Sequence, residues 1–144
     1  MEGKPPVKEP SWLLDGCSLV ALFATDHLHH RKMKKWFEKR VQSFATCSVT
    51  QGTLLRLLLT LDKTLTSDQA WSVLRAVVQH PFHEFWDDGF SYLEIHPKLI
   101  QGHRQITDAW LVELARKRKG RLATLDLQLA EMYPRDVQLI TDFN

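Results

Sequence analysis

Three aspartates stand where this chain can do chemistry. Asp15 closes an apolar run, SWLLD; Asp108 opens a segment with helical spacing, ITDAWLVELARK; Asp126 closes RLATLD. Carboxylates gathered in one place repel one another unless a proton or a cation intervenes. Hard oxygen donors with few other ligand types nearby suit Mg²⁺ or Mn²⁺ better than a softer ion. The three acids are spread over most of the chain and form no local motif, so a shared site needs a fold that brings them together.

The helical wheel supports an inward Asp108. At about 100° per residue, Trp110, Leu111, Val112, Leu114 and Ala115 share one broad arc, and Asp108 falls inside it. Glu113 falls on the other side with Arg116 and Lys117, which predicts a solvated position. An acid in a first helical turn also complements the helix dipole, here with Thr107 as the expected cap. An uncompensated carboxylate facing the core is costly, however, and a cation shared with Asp15 and Asp126 would remove the cost.

The elements that must position these acids are legible as an alternation. Strands are expected at Ser11–Asp15, Ser43–Cys47, Glu84–Trp86, Arg121–Leu125 and Val137–Ile140. Helices are expected at Ser18–Phe23, at His27–Arg40 with Leu28, Trp36 and Phe37 as anchors, and at Thr50–Leu61. Further helices are expected at Asp68–Gln79 capped by Ser67, over the segment opened by Asp108, and from Leu127. Residues 87–102 read as loop with short helical pieces. Strand–helix alternation predicts an α/β fold, a central parallel sheet of four or five strands flanked by helices. Ligands of such sheets bind beyond the carboxyl ends of the strands, the edge where Asp15 and Asp126 fall.

The bulk properties narrow the partners. A chain of 144 residues, 44% hydrophobic and 25% charged, is expected to form one domain at 11–144 after a polar, Pro-rich arm at 1–10. A net charge of +2 leaves nucleic-acid binding to local patches. No apolar run is long enough for a membrane span, and the N-terminus lacks an apolar signal segment, so a cytoplasmic protein is expected. Cys17 and Cys47 read as small buried residues of a reducing compartment.

Other features carry weaker readings. His27, His29 and His30 lack the spacing and the companion acid or cysteine of a zinc site, and read as a solvated helix start. The basic runs RKMKK (31–35) and RKRKGR (116–121) are candidates for phosphate contact. The second also suits a helix C-terminus closed by Gly120, about 12–15 Å from Asp108 by helical rise. Arg56 and Arg104 are nearer candidates for orienting a carboxylate or a phosphate. Trp71 and Trp110 are expected in the core; Trp36 and Trp86 are core by default, or anchors for a docked partner.

The order of the acids and their surroundings resembles a PIN domain, specifically a VapC-type toxin of a bacterial toxin–antitoxin pair. The matching stretches are WLLDGCSLVALF (12–23), HHRKMKKWFE (29–38), FATCSVTQGTLLRLL (44–58), FWDD (85–88) and GHRQITDAWLVELARKRKGRLATLD (102–126). The resemblance implies a Mg²⁺- or Mn²⁺-dependent endoribonuclease that cleaves RNA phosphodiester bonds with a metal-activated water. It also implies a cognate antitoxin as inhibitor and a homodimer. Asp15, Asp108 and Asp126 would then be the metal-binding acids.

Two departures from the pattern stand out. Where the family places a glutamate at the start of the helix after the second strand, this chain has TQGTLL, with Gln51 and Thr53 at the candidate positions. Gln51 is assigned to that corner, as a carbonyl ligand or as the holder of a metal-bound water; it carries no charge, and Asp142 or Asp26 are alternatives without motif support. Cys17 replaces the usual Asn or Ser two residues after the first acid; either Ser18 takes over its hydrogen-bonding role or nothing does. The departures motivate an alternative: a catalytically weakened PIN-fold module that binds RNA or protein.

Overall fold

The computed structural model describes residues 9–141. The expected arm falls almost wholly on 1–8, outside the described residues, as does Asp142. Five three- or four-residue strands alternate with helices: β1 Trp12–Leu14, α1 Gly16–Phe23, α2 His30–Arg40, β2 Phe44–Thr46, α3 Ser48–Leu61, α4 Ser67–Val78, β3 His83–Phe85, α5 Ile106–Lys117, β4 Arg121–Thr124, α6 Leu127–Met132 and β5 Val137–Leu139. Three short 3₁₀ turns, at Tyr92–Glu94, Pro97–Leu99 and His103–Gln105, carry the chain from β3 to α5.

All strand pairs are parallel, in the order β3-β2-β1-β4-β5. Because side chains alternate across a strand, the three central strands feed two cores. Trp12, Leu14, Phe44 and Ala123 pack toward one face with α1–α4; Leu13, Ala45 and Leu122 pack toward the other with Trp110, Leu111 and Leu114 of α5. Both faces are covered, which is why the strands read as apolar runs without alternation.

Several local expectations are corrected. Thr66, not Ser67, caps α4: its Oγ1 accepts from the Gln69 backbone N–H at 3.1 Å, while the Gln69 side chain accepts from the Thr66 N–H at 2.8 Å. Leu28 lies in the turn before α2 and is 88% exposed, so it anchors nothing in this fold. Trp71 is 46% exposed, because α4 covers α3 with Ala70 and Val77 rather than with its indole. Trp36 and Trp86 are buried in the two cores, which leaves neither indole free as a docking anchor.

Gly120 is not the left-handed residue that ends α5; Lys119 is, with φ 56°. The glycine is required by crowding instead. A Cβ at position 120 would lie 2.4 Å from the Ser11 carbonyl oxygen and 2.8 Å from the Trp86 ring. The basic run around it is tied into the fold. Arg116 pairs with Asp136 at 2.7 Å and with Glu113 at 3.5 Å, so Glu113 is a half-buried ion-pair partner rather than a solvated charge. Lys117 pairs with Glu94 at 2.6 Å, and Arg118 donates to the Asp87 carbonyl at 2.9 Å.

Candidate metal centre

The strand order reverses direction at β1. The chain moves outward from β1 through β2 to β3, then returns to place β4 on the other side of β1. The loops leaving β1 and β4 therefore part at one point, the switch point where open α/β sheets bind ligands. Asp15 is the first residue after β1 and Asp126 the second after β4, so topology puts both at that crevice.

Local chemistry holds each acid. Asp15 is the N-cap of α1, its Oδ1 accepting from the Ser18 N–H at 2.9 Å. Its Oδ2 accepts from the Thr124 hydroxyl at 2.7 Å, and the same hydroxyl oxygen accepts from the Asp126 N–H at 3.1 Å. Thr124 is thus a clasp between the two acids. It went unnoticed in the sequence, although a threonine two residues before an acid is a local turn signal. Asp126 caps α6, its Oδ1 accepting from the Leu129 N–H at 3.3 Å.

Asp15 keeps some solvent contact as a residue, but its carboxyl is enclosed. Burial pushes its pKa up, partly offset by Thr124 and Ser18, and the Asp126 charge pushes it further. The Ser18 hydroxyl is buried without a hydrogen bond of good geometry, yet lies near enough to favour the carboxylate. Close packing fixes the position of this acid: a Cβ on Gly16 would fall 2.2 Å from the Thr53 Cγ2, so α1 and α3 touch beside it.

Asp108 enters from α5. The helix begins at Ile106 after Gln105, with no side-chain cap, so Thr107 is not the cap. Its carboxyl is half-buried and pairs with no hydrogen-bond donor or cation among the described residues. Burial first, then the charges of Asp15 and Asp126, push its pKa up from 3.8 to about 6. Asp108 and Asp126 share a cleft of about 460 Å³ with Gln101, Arg104, Gln128 and Tyr133.

Cys17, two residues after Asp15, is a surface residue and not a buried one. Burial of the thiol, followed by the charges of Asp15, Asp108 and Asp126, raises its pKa. The thiol thus feels all three acids. Gln51 is not among the hydrogen-bond partners of the acids; its Nε2 donates to the Thr46 Oγ1 at 3.0 Å. Arg56 is exposed and donates to Thr53 at 3.2 Å. Asp26 is an exposed turn residue. The histidine segment is a helix start: the His30 Nδ1 bonds to the Ala21 carbonyl at 2.9 Å.

No three His, Cys, Asp or Glu side chains among the described residues stand close enough, as placed, to grip one ion together. The donor set still fits a hydrated hard cation. Mg²⁺ retains several waters and takes only one or two carboxylates directly. Asp108 is an inward acid without a partner, beside two others that raise its pKa.

A PIN-domain family profile matches residues 12–133. The chain belongs to the PIN-domain family. It is 40% identical over 121 residues to ribonuclease VapC29 of Mycobacterium tuberculosis, covering 84% of this chain and 90% of that one. Its fold matches the crystal structure of M. tuberculosis VapC20, a sarcin-ricin-loop-cleaving toxin, with a TM-score of 0.64 at 13% identity over 85% and 95% of the two chains. VapBC2 from Rickettsia felis, bound to a promoter DNA fragment, matches with a TM-score of 0.62 at 15% identity over 90% and 98%. The VapC-type resemblance carried by the sequence motifs is therefore shown, as is a single PIN fold with a five-stranded parallel sheet. Among the described residues no helix is long and apolar enough to cross a membrane.

Proposed function

We propose that this PIN-domain protein is a Mg²⁺- or Mn²⁺-dependent endoribonuclease toxin, with Asp15, Asp108 and Asp126 as the metal-binding acids and Gln51 at the fourth corner. The observation that carries the reading is the unpartnered, half-buried Asp108, pushed to about 6 beside two further carboxylates at the switch point. The bound ion would activate a water for attack on a backbone phosphate and stabilise the charge that develops.

The chain's own residues do the rest. Thr124 and the Ser18 N–H hold the Asp15 carboxylate in one orientation, and the Leu129 N–H holds Asp126. Arg104, on the cleft wall, offers a cation to an incoming phosphate. A cytoplasmic cognate antitoxin as inhibitor, and a homodimer, belong to the same proposal. The antitoxin is supported by the likeness to VapBC2.

The second reading is a PIN-fold module that binds RNA or protein with weakened catalysis. It is favoured by the uncharged Gln51, engaged with Thr46. Incubating antitoxin-free protein with end-labelled total RNA in Mn²⁺, Mg²⁺ or chelator, beside Asp108→Asn, separates the two. Discrete metal-dependent cuts that vanish in the variant are expected. RNA retention without cutting, together with no Mn²⁺ binding, would favour the module.

A further inference from the structure

The cleft that Asp108 and Asp126 share is built by two elements. Helix α6, capped by Asp126, carries Leu129, Met132 and its closing residue Tyr133 into the cleft. Their helical spacing sets the three on one face. Leu129 and Tyr133 are almost fully buried, and the Arg116 guanidinium, itself paired with Asp136, lies over the Tyr133 ring at 5.9 Å from its centroid. The floor is therefore apolar, packed in place and joined to one of the acids. The turn that leads into α5 supplies Arg104 and Gln105, and Gln105 stands three residues before Asp108.

The polarity of Gln105 is fixed. The Gln101 backbone N–H donates to the Gln105 Oε1 at 2.6 Å. A backbone amide only donates, so the atom it meets is the oxygen and the other is the NH₂. That Nε2 has no hydrogen-bond partner among the described residues, and it is not sealed from solvent. Gln105 therefore offers the cleft a donor and no free acceptor. A cavity of about 460 Å³ is of the size that encloses one small ligand. A nucleobase suits an apolar floor with a polar rim, since its faces are apolar and its edges polar. In an A-form duplex the edge that carries the uracil O4 or the guanine O6 faces a groove too deep and narrow for side chains. The base must therefore be unpaired. A donor matches those keto oxygens and opposes the amino groups that cytosine and adenine carry in their place.

We propose that this cleft is a base-reading subsite and that Gln105 sets its specificity. An unpaired uracil or guanine beside the scissile phosphate lies on Leu129, Met132 and Tyr133 and gives its keto oxygen to the Gln105 NH₂. Arg104, which pairs with no carboxylate among the described residues, meets the phosphate of the same nucleotide. The inference rests on the ribonuclease reading above and adds to it the residue that selects which nucleotide is seated beside the acids.

The test measures binding in chelator, where no strand is cut, by fluorescence anisotropy of end-labelled octamers of uridine and of cytidine. The two bases differ in the group at position 4, a keto oxygen in one and an amine in the other. Oligouridine is expected to bind about three- to tenfold more tightly, which is what one neutral hydrogen bond contributes. Gln105→Glu keeps an oxygen for the Gln101 N–H and turns the free donor into an acceptor. The added charge weakens both strands, so the ratio is the readout, and it should invert; Gln105→Ala should bring it to one. Equal binding of the two octamers by wild type, or a ratio unmoved in both variants, overturns the proposal. So does a duplex that binds as tightly as the single strands, or binding of neither octamer at up to millimolar strand. An oligouridine carrying one 4-thiouridine should photocrosslink to Met132 or Tyr133; crosslinks confined to the basic run at 31–35 would place the strand elsewhere and overturn the subsite. Mn²⁺ binding, followed by electron paramagnetic resonance on the same protein, keeps the two readings apart. An intact Mn²⁺ site without base preference removes the subsite alone, and base preference with the expected crosslink but no Mn²⁺ binding removes the metal reading alone.

Discussion

Replacing Asp108 with Asn should stabilise the metal-free protein while abolishing its activity. In the folded protein the carboxyl titrates at about 6 instead of 3.8. The folded state therefore holds the proton more tightly than the unfolded chain does. For this raised acid, stability is greatest below 3.8, falls as pH rises through the window up to about 6, and stays reduced above it. Two pKa units at about 1.4 kcal/mol each set a ceiling of about 3 kcal/mol. The carboxyl is only half-buried, and solvent screening reduces this to about 1–2 kcal/mol. Asn removes the charge and keeps the shape. Urea unfolding in chelator at pH 7.5 should show Asp108→Asn more stable by that amount, or about 3–8 °C in Tm for a domain of this size. The gap should close near pH 4, where wild-type Asp108 is protonated. Saturating Mn²⁺ should shrink or reverse the gap by binding only the wild-type site. An Asn variant no more stable than wild type at pH 7.5, or a gap equal at both pH values, would refute the argument that Asp108 is an inward charge awaiting a cation.

The remaining expectations address the same centre and its frame. Cys17 should react slowly with iodoacetamide in chelator, and severalfold faster in Mg²⁺, because a cation among Asp15, Asp108 and Asp126 relieves the negative field that holds the proton on its sulfur; equal rates would mean no ion binds there. Gln51→Glu should tighten Mn²⁺ binding in calorimetry at fixed pH, since it adds a charged ligand at the uncharged corner; unchanged affinity would remove that corner from the site. Gly120→Ala should cost about 2–4 kcal/mol in chemical denaturation, because its methyl meets backbone and indole atoms rather than a flexible side-chain tip; a neutral result would show that β4 can shift away from Ser11.

The sequence by itself determined the alternation of strands and helices, and with it the parallel sheet. Short runs such as WLL and FAT can be buried on both faces only if helices cover both. It also placed Asp15 and Asp126 at strand ends and Asp108 on the apolar arc of its helix, because periodicity is a local property. Local pattern could not say which polar groups would meet. The Thr124 clasp joins residues 109 apart in sequence, and the Thr46–His83 contact joins residues 37 apart. Composition misjudged Cys17, Leu28 and Trp71, since exposure depends on what packs against a position and not on residue type. It misjudged Gly120 for the same reason: the demand for a bare backbone comes from Ser11 and Trp86, which only the closed sheet brings within 3 Å of where a Cβ would lie. The raised pKa of Asp108 belongs to tertiary structure alone, because it arises from burial and from two charges that strand order, not sequence spacing, sets beside it.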